Sequence, residues 1–210
     1  MSTFKISWLA VFPLIFMVEL LSAQGSSNDE WKLEKDDDGV KIYTKKIEDY
    51  KLKAFKGYTI VQSTPEELLN VIRDVEKYPQ WMSHIAETYV VKKISNNELY
   101  VYSESTVPWP FSNRDIVTHS LLYWKDEKAF VEMTGIPDFI PENKGIVRIP
   151  GSKGLWIFSP ISSNETEIIY EFQGDPGGRI PGWIANMFIV DGPFKTLTRL
   201  REYVMNSKAN

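Results

Sequence analysis

Apolar and polar side chains alternate along "VKIYTKK" (40–46) and "LKAFKGYTIV" (52–61), the two-residue period of half-buried strands. A turn around Glu48, Asp49 and Tyr50 would join them as an antiparallel pair. Upstream, Trp31 to Lys35 reads as a short helix closed by Gly39, although the acidic run Asp36, Asp37, Asp38 would oppose its dipole. Within "STPEELLNVIRDVEKYPQWM" (63–82) the period lengthens to that of a helix. Thr64 is a good N-cap, Pro65 suits the first turn, and Glu66 and Glu67 favour its positive end. Leu68, Leu69, Val71, Ile72 and Val75 form the apolar stripe, and Tyr78-Pro79 is expected to break it.

Strand patterns then dominate. "ETYVVKKI", "ELYVYSESTV", "DIVTHSLLYW" and "KAFVEMTGI" are separated by turn-like pieces at Ser95-Asn96-Asn97 and Lys125-Asp126-Glu127. "PDFIPENKG" is a loop that carries Phe139 and Ile140. "GIVRIPGSKGLWIFSPI" and "ETEIIYEFQGD" form a further pair, and "DPGGRIPG" is a turn-rich break. In the last segment, Ile184, Met187, Phe188, Phe194, Leu197, Leu200, Tyr203 and Val204 fall near helical spacing, with Gly192-Pro193 expected to kink or split the helix. The order predicts an α+β fold: two strands, one or two helices, about six strands in an antiparallel meander, then a long C-terminal helix. That helix must bury its apolar face, and the concave side of the sheet is the large surface available. A curved sheet and a helix seldom meet without a gap, and a gap can hold a ligand.

Composition narrows the function. The 210 residues are 43% hydrophobic, enough for one domain with a core. A net charge of −4 argues against general attraction to nucleic acid or anionic surfaces. Aromatics make up 13% of the chain, a supply that can fill a core or line an apolar cavity. The absence of cysteine excludes disulfides, thiol nucleophiles and thiolate metal sites. With two histidines, His84 and His119, and no cysteine, no metal site is expected. Lys5, the apolar run Ile6 to Val18 and Ala23 before Gln24 have the pattern of a secretory signal peptide over 1–23, followed by a polar linker over 24–29 and the domain over 30–210. The competing reading is an uncleaved membrane anchor, for which the run is short and interrupted by Glu19. An exported protein, periplasmic or extracellular, is therefore expected.

The chemistry-bearing stretch is "VPWPFSNRDIV" (107–117). On a strand, Arg114 and Asp115 point to opposite faces, so each would bond a different neighbour and clamp the corner that Pro108 and Pro110 begin. This favours a structural role over a catalytic dyad. Arg114, Ile116, Thr118, Ser120 and Leu122 share one face, and Asp115, Val117, His119 and Leu121 the other. On the neighbouring strand Tyr100, Tyr102, Glu104 and Thr106 share a face, and Glu104 is the candidate polar anchor unless it is simply solvated. His119 reads as a satisfied strand residue, and His84, after Trp81-Met82-Ser83, as a surface turn residue in preference to one near the mouth of a cavity. No G-x-S-x-G or H-E-x-x-H occurs, and Gly177-Gly178 lacks the Lys and Ser/Thr of a phosphate loop.

"PWPFSNRDIV" (108–117), "DPGGRIPGWIANM" (175–187) and "FKTLTRLREYV" (194–204) together resemble the StAR-related lipid-transfer (START) domain, over about residue 30 to the end. The resemblance implies a helix-grip fold, a curved antiparallel sheet wrapped on a long C-terminal helix around a hydrophobic tunnel. It implies a non-catalytic domain that binds a lipid or other apolar small molecule, with no cofactor, working as a monomer in transient contact with membranes. The implied tunnel residues are Tyr102, Glu104, Thr118, Ser120, Trp183, Met187, Phe188 and Leu197, with Phe139 and Ile140 on a lid loop over Ile136 to Gly145. Lys195, Arg199 and Arg201 lie on the polar side of the last helix, where they solvate it or meet head groups. Where cholesterol-binding members resemble one another in a tunnel-facing arginine, this chain has Ser120. The wider helix-grip group also includes polyketide cyclases and dehydratases. In that alternative Arg114, Glu104 and His119 would converge in one cavity as acid–base groups.

Overall fold

The computed structural model describes residues 30–48 and 52–208. The segments expected as leader (1–23) and linker (24–29), and Asp49 and Tyr50 of the first turn, lie outside the described residues. The first strand, β1 (Lys32–Asp37), is a correction, since that segment reads as a helix in the sequence. The reason is Asp38-Gly39, both at positive φ (47° and 71°), which closes a two-residue hairpin onto β2 (Val40–Lys45). The residues of β1 are almost all exposed, so the strand shows no apolar alternation. β2 pairs with β3 (Ala54–Val61).

The helix α1 (Pro65–Arg73) follows a reciprocal cap: Thr64 Oγ1 accepts from the Glu67 amide and Glu67 Oε2 accepts from the Thr64 amide. Tyr78-Pro79 does not stop the helical region. After a 3₁₀ turn (Val75–Lys77), Pro79 sits in the first turn of a short helix α2 (Tyr78–Trp81), where its missing N–H costs nothing. The chain then runs through β4 (Ile85–Ser95), β5 (Glu98–Ser105), β6 (Arg114–Lys125), β7 (Lys128–Gly135), β8 (Val147–Arg148), β9 (Ser152–Ser162) and β10 (Glu165–Gly174). The sheet order is β1-β2-β3-β10-β9-β7-β6-β5-β4. The two helices therefore carry the chain from β3 to the far edge, and the meander returns to pair β10 with β3.

The last segment is one helical rod of three parts, α3 (Gly182–Asn186), a π turn (Met187–Asp191) and α4 (Gly192–Lys208). The irregularity that Gly192-Pro193 announces is thus a π turn just before it, closed by the Gly192 amide on the Met187 carbonyl. A Cβ at Gly192 would lie 2.8 Å from that carbonyl oxygen. α4 packs on β2 and β3, where a Cβ at Gly57 would lie 2.6 Å from Leu197, so the glycine lets helix and sheet approach closely. Arg201 donates to the Asp38 carbonyl and pairs with its carboxylate at 3.5 Å, tying the β1–β2 hairpin to the helix. Leu68, Leu69, Trp81, Trp156, Phe158, Ile168, Leu197 and Leu200 are buried together at the centre, with Trp156 stacked on Tyr170 at 3.8 Å.

β8 runs parallel to the start of β6, pairing Arg114 with Val147 and Asp115 with Arg148. Arg148 and Asp115 form a buried two-point ion pair, 2.8 and 3.1 Å. The remaining guanidinium donors reach the carbonyls of Pro137, Ile140 and Pro141. One arginine thus satisfies the carboxylate and the backbone of the preceding loop, the condition under which a buried pair holds a fold together.

Two substitutions test this packing. Leu200→Ala, at a position with no exposure, is expected to cost roughly 2–5 kcal/mol in urea unfolding, whereas Met205→Ala, 58% exposed on the same helix, should stay within about 0.5 kcal/mol. Arg148→Met strands the Asp115 carboxylate, so a loss of about 3–5 kcal/mol is expected, together with new protease cleavage between residues 136 and 146.

Candidate functional site

A cavity of about 180 Å³ lies between the inner face of β4–β6 and the helical rod, far above the ~10–15 Å³ that one water requires. β6 contributes Arg114, Ile116, Thr118 and Ser120, and β5 contributes Val101, Ser103 and Ser105. The opposite wall is Phe188 and Ile189 of the π turn with Pro193 and Thr196 of α4, and Tyr78, Met133, Tyr170 and Phe172 form the deep end. The π turn matters here because its wide bore turns Phe188 and Ile189 together into the cavity.

Strand register sorts the site residues of the sequence. Ser105 pairs with Arg114 and Ser103 with Ile116, so these four share the cavity face with Thr118 and Ser120. Tyr102 pairs with Val117 and Glu104 with Asp115, which puts Tyr102 and Glu104 on the opposite face. Their expected place in the tunnel is therefore corrected. Their work is structural. Glu104 accepts from Asn113 Nδ2 at 2.6 Å, and Asn113 Oδ1 accepts from the Val107 amide at 3.0 Å, which fastens the β5–β6 loop. Tyr102 accepts from Asn143 at 3.0 Å, and burial pushes its phenol up to about 12.

On the rod, Phe188 lines the cavity, but the other three residues do not. Leu197 is spent on the core against Gly57, Met187 is half-buried beside the wall, and Trp183 is 55% exposed with its ring edge-on to Phe111 of the β5–β6 loop. The loop with Phe139 and Ile140 is not a lid on this cavity. Phe139 stacks on Tyr100 at 4.4 Å, on the sheet face away from Ser120, because Arg148 gathers the loop carbonyls on that side. His119 is also on that face, 2.9 Å from Glu98. Arg114 alone of the proposed acid–base trio faces the cavity, so the convergence that an enzyme of that type would need is not present.

Sequence reasoning missed Ser103 and Ser105, and for His84 it preferred the wrong one of two places. His84 lies in the cavity wall, not on a surface turn. Its φ of 62° breaks strand alternation, so that His84 and Ile85 both face inward. Its ring meets Phe188 edge-on at 6.2 Å. Burial, then the charges of Lys195 and Arg199, hold its imidazole below the usual histidine range. Among the described residues there is no cluster of three or more His, Cys, Asp or Glu able to hold a metal.

The START domain family model matches residues 16–210. An uncharacterised protein of Pseudomonas aeruginosa is 35% identical over 174 residues, 82% of this chain and 86% of its own. The phosphatidylcholine transfer protein of Bos taurus is 27% identical over 173 residues, 79% of this chain and 80% of its own. A StAR-related lipid transfer protein of Xanthomonas axonopodis superposes with a TM-score of 0.77 at 35% identity, covering 84% of this chain and 99% of the other. With the meander, the rod and the cavity between them, the chain belongs to the START domain family.

Proposed function

We propose that this protein is an exported, monomeric carrier that holds one lipid or similar apolar molecule in the cavity and exchanges it at a membrane surface. The observation that carries this reading is a cavity walled by Val101, Ile116, Met133, Phe172, Phe188 and Ile189 with no assembled acid–base pair. A buried methylene is worth ~0.8 kcal/mol, so a chain of about sixteen carbons costs on the order of 10 kcal/mol to expose to water. A dry wall removes most of that cost without chemistry. Relatives named for lipid transfer support the same reading.

The membrane contact belongs to the β5–β6 loop and α3. Trp109 is 91% exposed and Trp183 55%, with Phe111 beside Trp183 and the exposed Arg179 four residues before it. Large amphipathic rings with a neighbouring cation suit a lipid head-group layer. Trp183 is also five residues before Phe188, so this contact sits at the end of the rod that walls the cavity.

Native mass spectrometry of the protein purified from its own host is expected to find a stoichiometric lipid. Protein that emerges empty, or with a polar metabolite consumed on incubation, rejects the carrier. Exchanging both Trp109 and Trp183 for Ser is expected to weaken sedimentation with phosphatidylcholine vesicles roughly tenfold or more. Unaltered sedimentation would place the contact elsewhere.

A further inference from the structure

We infer that the cavity selects a ligand with an anionic head, a carboxylate or phosphate on an apolar chain, and that Arg114 is its anchor. This assignment rests on the carrier reading and adds the chemistry of the ligand. Arg114 is 6% exposed, yet it faces the cavity and no carboxylate pairs with it among the described residues. Its protein partners are two carbonyls, Ser112 O at 2.5 Å from Nη1 and Pro176 O at 3.4 Å from Nε. These fix the plane of the guanidinium, and among the described residues Nη2 makes no hydrogen bond. A buried cation with a fixed fork and no ion-pair partner among the described residues suits an oxyanion.

The other charged groups of the wall do not fill this role. Lys53 pairs with Glu34 at 3.4 Å. Asp175 accepts from the Gly177 amide at 3.0 Å and makes no ion pair with Arg114. Burial is the cause that lowers the Arg114 pKa. The contrast with Asp115 is direct. The neighbouring carboxylate takes all its charge balance from Arg148 on the far face and none from Arg114.

Neutral donors stand near it. His84 lines the same cavity, although its Nε2 is buried and makes no hydrogen bond among the described residues. The pairs Ile85 with Ser105 and Ser105 with Arg114 run across three adjacent strands, so His84 lies about 10 Å along the backbone row from Arg114. Ser105 lies between them, and Ser103 two residues further along the same face. The face thus offers a fixed cation and two hydroxyls, all able to donate to an oxyanion. The apolar remainder of the wall takes the chain.

The test is displacement fluorimetry on the mature chain with dansyl-undecanoic acid and the primary alcohol of the same chain. The acid is expected to bind ~10–100-fold more tightly than the alcohol, the value of a charge-assisted hydrogen bond in a buried site. Arg114→Gln should bring that ratio to about one, and Arg114→Lys should keep much of it. Should Arg114→Gln fail to fold, Ile116→Glu places a carboxylate next along the same face and should likewise abolish the preference. Palmitate and lysophosphatidate as competitors separate the two sources: displacement by palmitate identifies a carboxylate head, and displacement by lysophosphatidate alone a phosphate head. Equal affinity for acid and alcohol in the unaltered protein overturns the anchor and leaves the carrier standing. Binding of neither probe overturns the carrier itself.

Discussion

Neighbouring side chains on a strand leave from opposite faces, and in this protein that rule is applied to two opposite charges. Asp115 goes to the outer face, meets Arg148, and through it organises β8 and the preceding loop. Arg114 goes to the inner face and meets carbonyls alone. One dipeptide therefore divides architecture from ligand chemistry. Reversing the order would put a carboxylate in the cavity and leave Arg148 facing a like charge, so the fold and the site share a single constraint.

The cavity itself is a packing mismatch held in place. At β2 and β3 the rod can press down because Gly57 has no side chain to resist Leu197. Over β5 and β6 the sheet face carries hydroxyls and short side chains, while the π turn lifts Phe188 and Ile189 into the gap. Filling that gap with larger residues would raise stability by burial and remove the space for a ligand. The ring cluster next to it, with Trp81 edge-on to Trp156 and Trp156 stacked on Tyr170, supplies the rigidity that keeps the gap from collapsing.

Much of the fold was legible because its elements carry their own signals. The capping box at Thr64, the alternating strands and the apolar stripe of the last helix all announce themselves by period and cap chemistry. β1 was not legible as a strand because an exposed edge strand has no apolar face to display, and only Asp38-Gly39 marks it. The cavity was half legible. Parity grouped Arg114, Thr118 and Ser120 correctly, but the face of β5 depends on register across a loop of irregular residues, which periodicity cannot count. Tyr102 and Glu104 were misplaced for that reason, and Ser103 and Ser105 missed with them. His84 escaped because a positive φ at a non-glycine residue leaves no trace in the pattern.

The close seat of Leu197 on Gly57 and the tie from Arg201 to Asp38 have a mechanical meaning. They clamp the C-terminal half of the rod to the sheet, while its N-terminal part spans the open gap and meets solvent through Trp183. In engineering language the rod is a cantilever, built in at β2–β3 and free at the tip. Bending stiffness is set at the built-in end, and displacement is greatest at the tip. On the carrier reading, the core then sets how far that end can lift, and residues that never touch a ligand set the work of letting one in.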